Sequence, residues 1–418
     1  MNSCKKVIFS IFCFLIFLRP FISSKAFPKI ENYYLIFLIV ASIILIKKIK
    51  NGENSATLNL AFFFLTSAGI LSLLFSPNKL QSLISLPDYF SGILFFLITL
   101  ALDTKETKTI LRIIIVSGLL ISLYGIYQYL FGFSALAKYI LAENPNFFVN
   151  HLVRNYFLSR RIFATFFSPN MLAGYLIMII PITIGYIFEF RPEKKLISYL
   201  ALGTPLLALV LTKSLGAVFS LAVSLTLFFY IPNSKKKNIS LKKIWAYSAT
   251  FLILFLIIIM PTIVRRSDRL FNFQNPHNSI LQRINFTRLT LKIIKGHFLL
   301  GVGPGNFGDF YARYRGNRDI RTNYAHNFIL QTQAELGILG SLGLILLLSL
   351  FLKDILSFKK AVKQNYAFLK AGLLCAGISF LLHNLIDISF FIPEVAISFW
   401  VGWASFKNLT KQKICAPQ

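Results

Sequence analysis

Apolar residues run along this chain in continuous blocks, without strand-like alternation. Blocks of about 20 residues are what a helix needs to cross a hydrocarbon core of roughly 30 Å. About twelve are read by that criterion. They lie near positions 7–24, 30–47, 56–75, 83–102, 110–132, 168–188, 196–213, 214–232, 244–264, 326–352, 367–386 and 388–406. Each is about twice as long as a tilted transmembrane strand requires, so helices are predicted and a β-barrel is not. The expected fold is an all-α integral membrane protein divided into helices 1–9 over 1–264, one large loop over 265–325, and helices 10–12 with a short tail over 326–418. The first block follows Lys5 and Lys6 and precedes Ser24-Lys25-Ala26, as a signal peptide would, but Arg19 and Pro20 interrupt it and a retained helix is favoured.

Composition agrees with a membrane solvent: 56% of the 418 residues are hydrophobic and 14% are charged. The basic residues give an orientation, because short cytoplasmic loops collect them. Lys47, Lys48 and Lys50 follow block 2, Lys105, Lys108 and Arg112 follow block 4, and Arg191, Lys194 and Lys195 follow block 6. Lys235, Lys236, Lys237, Lys242 and Lys243 follow block 8, Lys359, Lys360 and Lys363 follow block 10, and Lys407, Lys411 and Lys413 close the chain. All fall on one side, so both termini are predicted cytoplasmic. The net charge of +29 is mostly these anchors, which also meet anionic membrane lipids, and nucleic acid is not implied.

On the opposite side the cations are nearly all arginine: Arg154, Arg160 and Arg161 in one loop, then Arg265, Arg266, Arg269, Arg283, Arg288, Arg313, Arg315, Arg318 and Arg321 in the large one. Arginine's planar fork binds phosphate bidentately and stays charged when partly desolvated. An anionic, phosphate-bearing ligand is one reading and contact with lipid headgroups is the other. Cys4 and Cys415 fall on the cytoplasmic side and Cys13 and Cys375 within spans, so no disulfide or metal cluster is drawn from them.

Within the large loop, Ile280 to Leu300 mixes apolar and basic residues as a helix lying on the membrane surface does. It ends at Gly301-Val302-Gly303-Pro304-Gly305-Asn306-Phe307, a tight turn; no strand precedes it and no Gly-Lys-Ser/Thr follows, so it is a weak nucleotide motif. His326 and Asn327 open block 10. Glu335 lies deeper, where a carboxylate costs at least about 2.5 kcal/mol unless it is paired or faces a wet cavity. Gly337, Gly340 and Gly343 follow it, and Gly337 and Gly340 are expected to let helices pack closely.

These pieces resemble the O-antigen ligase and polymerase superfamily. The resemblance is carried by His326-Asn327 followed by Gly337-Ile338-Leu339-Gly340, and by Arg283 eighteen residues before the glycine turn. It extends to Arg161-Ile162-Phe163-Ala164-Thr165-Phe166 with Ser168-Pro169-Asn170, and to His383-Asn384-Leu385-Ile386-Asp387. Two departures stand out. The family's Ser-Arg-Gly is here Ser214-Leu215-Gly216, and its tryptophan after Arg283 is here Thr287.

The resemblance implies a metal-independent glycosyltransferase of GT-C-like architecture, without a cofactor, in the bacterial inner membrane with its site facing the periplasm. The donor would be a glycan on undecaprenyl diphosphate, and the acceptor lipid A core or a growing glycan. His326 is the candidate base, with orientation of the acceptor as its alternative role. Arg283 is the first candidate for the leaving diphosphate, Arg161 the second, and Lys213, Arg288 and Asn327 further substrate contacts. Glu335, Gly337 and Gly340 are expected to support the site. Ligation to lipid A core is the leading expectation and polymerisation the nearest rival. A protein O-glycosyltransferase and a lipid-linked glycan flippase or transporter are the others.

Overall fold

The computed structural model describes residues 2–45, 56–143, 159–233, 271–275, 278–316, 319–358 and 365–411, with single positions at 260, 261, 264 and 267. All regular elements among them are helical: α1 (Asn2–Leu18), α2 (Pro28–Ile44), α3 (Ala56–Leu74), α4 (Lys79–Leu100), α5 (Thr104–Tyr127), α6 (Phe133–Glu143), α7 (Pro169–Phe190), α8 (Lys195–Thr212) and α9 (Leu215–Asn233). Then come α10 (Ser279–Gly296), α11 (Phe307–Tyr314), α12 (Phe328–Phe358), α13 (Ala367–His383) and α14 (Pro393–Thr410). Among the described residues, six helices are long and apolar enough to cross a membrane: α3, α4, α5 with its continuation to Tyr139, α7, α8 and α12. Eleven of the twelve expected blocks coincide with helices. The ninth, 244–264, lies almost wholly outside the described residues, as do Arg154, Arg265, Arg266, Arg269 and Arg318.

Sequence features explain several boundaries. α5 starts at a reciprocal cap in which Asp103 accepts from the Glu106 amide at 2.8 Å and the Glu106 carboxylate accepts from the Asp103 amide at 2.9 Å. Ser168 caps α7 and Pro169 takes its first position, where a missing N–H costs nothing. α13 packs along α7 and α9, α12 along α3, and α14 along α4. Of the six candidate spans α7 is the most enclosed, with 78% of its apolar window buried, and it packs against α8, α9, α13 and α14.

Of the basic residues that give the predicted orientation, Lys47, Lys48, Lys50, Lys235, Lys236, Lys237, Lys242, Lys243, Lys359, Lys360, Lys363 and Lys413 lie outside the described residues, and the others fall at one end of the bundle. At that end Lys5 pairs with Glu106, Arg112 donates to Tyr186, and Lys407 pairs with Asp354. At the other, Arg19 is buried, pairing with Glu31 at 2.5 Å and with Glu394 at 3.3 Å, so α1, α2 and α14 are pinned together there. Removing one partner would leave an uncompensated buried charge, at a cost of about 3–5 kcal/mol.

The large loop docks back onto the bundle. α10 buries Phe286, Leu289 and Ile293 against Phe307, Phe310 and Tyr311 of α11, and against Ala325 and Ala334. Between α10 and α11 the glycine turn enters a break in α12, where Gly337 has φ +64°. There the Val302 amide donates to the Ala334 carbonyl at 2.9 Å, the Gly303 amide to Glu335 at 3.0 Å, and the Ile338 amide to Leu299 at 3.2 Å. The backbone groups freed by the break are thus satisfied by the loop, as the membrane requires. Gly343, in contact with Ala61 and Leu65 of α3, is the glycine that lets helices approach. Gly337 has a different task from the close packing expected of it: a Cβ there would meet the Leu299 carbonyl in a left-handed conformation. Gly337→Ala is therefore expected to lower stability by about 1–3 kcal/mol, read as an earlier thermal midpoint of the detergent-purified protein. An unchanged midpoint would show that the break relaxes at no cost.

Candidate active site

A cavity of about 1370 Å³ opens at the end of the bundle that carries Arg19. It exceeds the roughly 300–1,000 Å³ of an ordinary small-molecule pocket. Its walls come from the start of α4, the segment before α7, the start of α9, one face of α10, the stretch before α12 and the α13–α14 connection.

One wall gathers the residues expected to do chemistry. Arg161, Arg283 and His326 line the cavity together although they are far apart in the chain. Arg283 sits in the second turn of α10, with Nη1 donating to Ser279 at 3.1 Å and Nε to the Ile386 carbonyl at 3.0 Å. Among the described residues no carboxylate lies within ion-pairing distance of it. Burial lowers its pKa, Asp387 opposes that shift, and a guanidinium stays charged regardless. Arg161 is held by Thr212 at 2.8 Å and Asn170 at 2.9 Å.

His326 lies just before α12, at φ +54°, a conformation costly for a residue with a side chain. That conformation places its ring against Phe286, with centroids 5.0 Å apart and planes 17° from parallel. Burial depresses its pKa to about 4, with Asp387 pulling it up and Arg283 pushing it further down. The imidazole is therefore neutral at physiological pH and able to accept a proton.

Other expected residues take different places. Lys213 ends α8 in a left-handed conformation and its ammonium donates to the Ser159 carbonyl, while Ser214, Leu215 and Gly216 line the cavity. Arg288 is exposed on α10, outside the cavity lining. Asn327 caps α12, accepting from Ile329 and Leu330 at 3.0 and 3.1 Å, and its amide donates to Leu385 at 3.2 Å. Glu335 is buried and accepts from the Tyr89 hydroxyl and, at 3.3 Å, from the Phe307 amide, which fastens the glycine turn to α4 and α12. The side chain nearest Gly340 is Leu336 of its own helix. Among the described residues no group of His, Cys, Asp or Glu is placed to hold a metal ion.

Two sets of residues without an expected role also line this cavity. Asp387 accepts from the Ser389 hydroxyl at 2.7 Å and lies 3.8 Å from His383. Burial alone would raise its pKa, but His383, the Ser389 bond and His326 hold it below the usual carboxylate range. It therefore supplies a fixed negative charge beside His326 and Arg283. Its motif was visible in His383-Asn384-Leu385-Ile386-Asp387, without a geometry to give it a task. The second set, Gln81, Ser85 and Asp88, recurs at four- and three-residue spacing along one helix face, a signal present in the sequence.

No curated protein matches the chain. Residues 199–345 match the family model described as O-antigen ligase, a stretch that includes Lys213, Arg283, Arg288, the glycine turn, His326, Asn327, Glu335, Gly337 and Gly340. With its apolar helices and these motifs, the chain is a multi-pass membrane protein that is similar, over that stretch, to the O-antigen ligases.

Proposed function

We propose that this protein is a membrane glycosyltransferase that moves a glycan from undecaprenyl diphosphate to an acceptor hydroxyl, acting as a ligase on lipid A core. The site would face the periplasm of the bacterial inner membrane, with both termini cytoplasmic. The observation that carries this reading is the convergence of Arg161, Arg283 and neutral His326 on one large cavity, alongside the family match.

In the proposed step, the acceptor oxygen attacks the anomeric carbon, its proton passes to His326, and the bond from that carbon to the diphosphate oxygen breaks. The departing undecaprenyl diphosphate carries the negative charge that Arg283 and Arg161 stabilise. Arg161 is the better substitute for the arginine missing at Leu215, because its guanidinium is anchored on Thr212, beside Ser214 and Leu215. Lys213 is directed to Ser159. Asp387 keeps the wall from being uniformly cationic and bears on both His326 and Arg283.

The test uses purified protein in liposomes with undecaprenyl diphosphate glycan, with and without lipid A core, in EDTA, with products read by gel and mass spectrometry. Glycan on lipid A core is the expected result. A lengthening ladder on undecaprenyl diphosphate without that acceptor would make the enzyme a polymerase. No new glycosidic bond in either arm would overturn the transferase reading for these acceptors.

A further inference from the structure

The start of α4 is unusual for a membrane-crossing helix. Leu80, Leu83 and Ile84 are exposed on its outer side, whereas Gln81, Ser85 and Asp88 are partly buried and line the cavity. Asn78, which caps the helix, lines it too, and the Gln81 amide donates to the Ser85 hydroxyl at 3.3 Å. Asp88 accepts from Lys25 at 3.5 Å, and Lys25 in turn lies over the Tyr324 ring at 5.5 Å. Gln81 and Ser85 also flank Gly305 of the glycine turn, which covers part of this face, and the remainder opens on the cavity, where a polar surface at membrane depth requires water or a polar ligand.

We propose that this face of α4 is a carbohydrate subsite, binding the hydroxyl groups of a sugar next to the reacting centre. The inference rests on the transferase reading above. Its geometric basis is that the ladder lines the same cavity as His326 and is tied, through Lys25 and the Tyr324 ring, to the segment that bears His326. The anomeric carbon has diphosphate on one side and the sugar ring on the other. Arg283 and Arg161 line the phosphate side, whereas amides, a hydroxyl and a carboxylate already paired with an ammonium suit neutral hydroxyls that both donate and accept. The shared chemistry is a pyranose, and either the donor glycan or the acceptor glycan supplies it.

The experiment measures binding to the full-length protein in nanodiscs for three probes: undecaprenyl diphosphate carrying a glycan, glycan-free undecaprenyl diphosphate, and lipid A core. Gln81→Ala and Asp88→Asn are each expected to weaken at least one glycan-bearing probe by about tenfold. Glycan-free undecaprenyl diphosphate should bind them as it does the wild type, which also shows that the variants are folded. Loss confined to the lipid-linked glycan would place the donor on α4, and loss confined to lipid A core the acceptor. Equal weakening of the glycan-free lipid, or wild-type binding of all three probes by both variants, would overturn the subsite while leaving the transferase reading intact. Failure of the wild-type protein to bind either undecaprenyl diphosphate lipid would overturn that reading and the subsite with it.

Discussion

His326→Ala abolishes glycan transfer while the protein remains inserted and holds its donor: this is the largest effect expected. The imidazole is neutral, faces the cavity and is fixed by Phe286, and an alanine removes the base from that position. General base catalysis contributes about 100- to 10,000-fold, so turnover should fall by at least about 100-fold in the liposome assay with donor binding retained. The pH dependence gives a second readout. A folded pKa depressed from 6.5 to about 4 means that the proton-accepting form is lost only as pH falls through about 4. The acid limb of kcat/KM should lie there and not near 6.5, and it should vanish from the residual activity of the variant. Full activity in His326→Ala would remove this residue from the mechanism.

Arg283→Lys is expected to lose about 100-fold in kcat, the range found when one pre-organised charge-stabilising donor is removed. Its guanidinium is directed by two carbonyls, Ser279 within α10 and Ile386 from the α13–α14 connection. A lysine keeps the charge, but a single ammonium cannot reproduce that two-point anchoring together with a bidentate grip on phosphate. The contrast with Arg288 sharpens the test. Arg288 lies five residues further along the helix, exposed and off the cavity lining, so Arg288→Lys should change the rate little. Comparable losses at both positions would indicate general attraction to anionic lipid and count against a diphosphate site at Arg283.

The class of this protein was legible in its sequence because bilayer thickness imposes block length and the cost of moving lysine across a membrane imposes alternation. Arg161, Arg283 and His326 were legible as candidates because arginine in loops predicted to be translocated and the spaced His-Asn and Gly-Ile-Leu-Gly pieces carry a resemblance. Their roles remain proposals, but their arrangement around one cavity is a property of the fold. Lys213 shows the limit of reading by neighbourhood. It stands two residues from the departed arginine position in the chain, yet the left-handed end of α8 directs it to Ser159, and Arg161, 52 positions earlier, is anchored nearby on Thr212.

The glycine turn makes the same point in another way. Sequence dictated a tight turn at Gly301–Gly305, since those residues tolerate positive φ. That the turn fills a break in α12 at Gly337 was decided by tertiary structure, where backbone groups from two distant segments satisfy each other inside the membrane region. Sequence by itself therefore determined the helices and their apolar lengths, because these follow from transfer of single segments between water and lipid. Tertiary structure alone decided which of those residues share a cavity, which are turned away from it, and that α4 presents a polar face to it, because such placements depend on side-chain packing and hydrogen bonds between segments far apart in the chain.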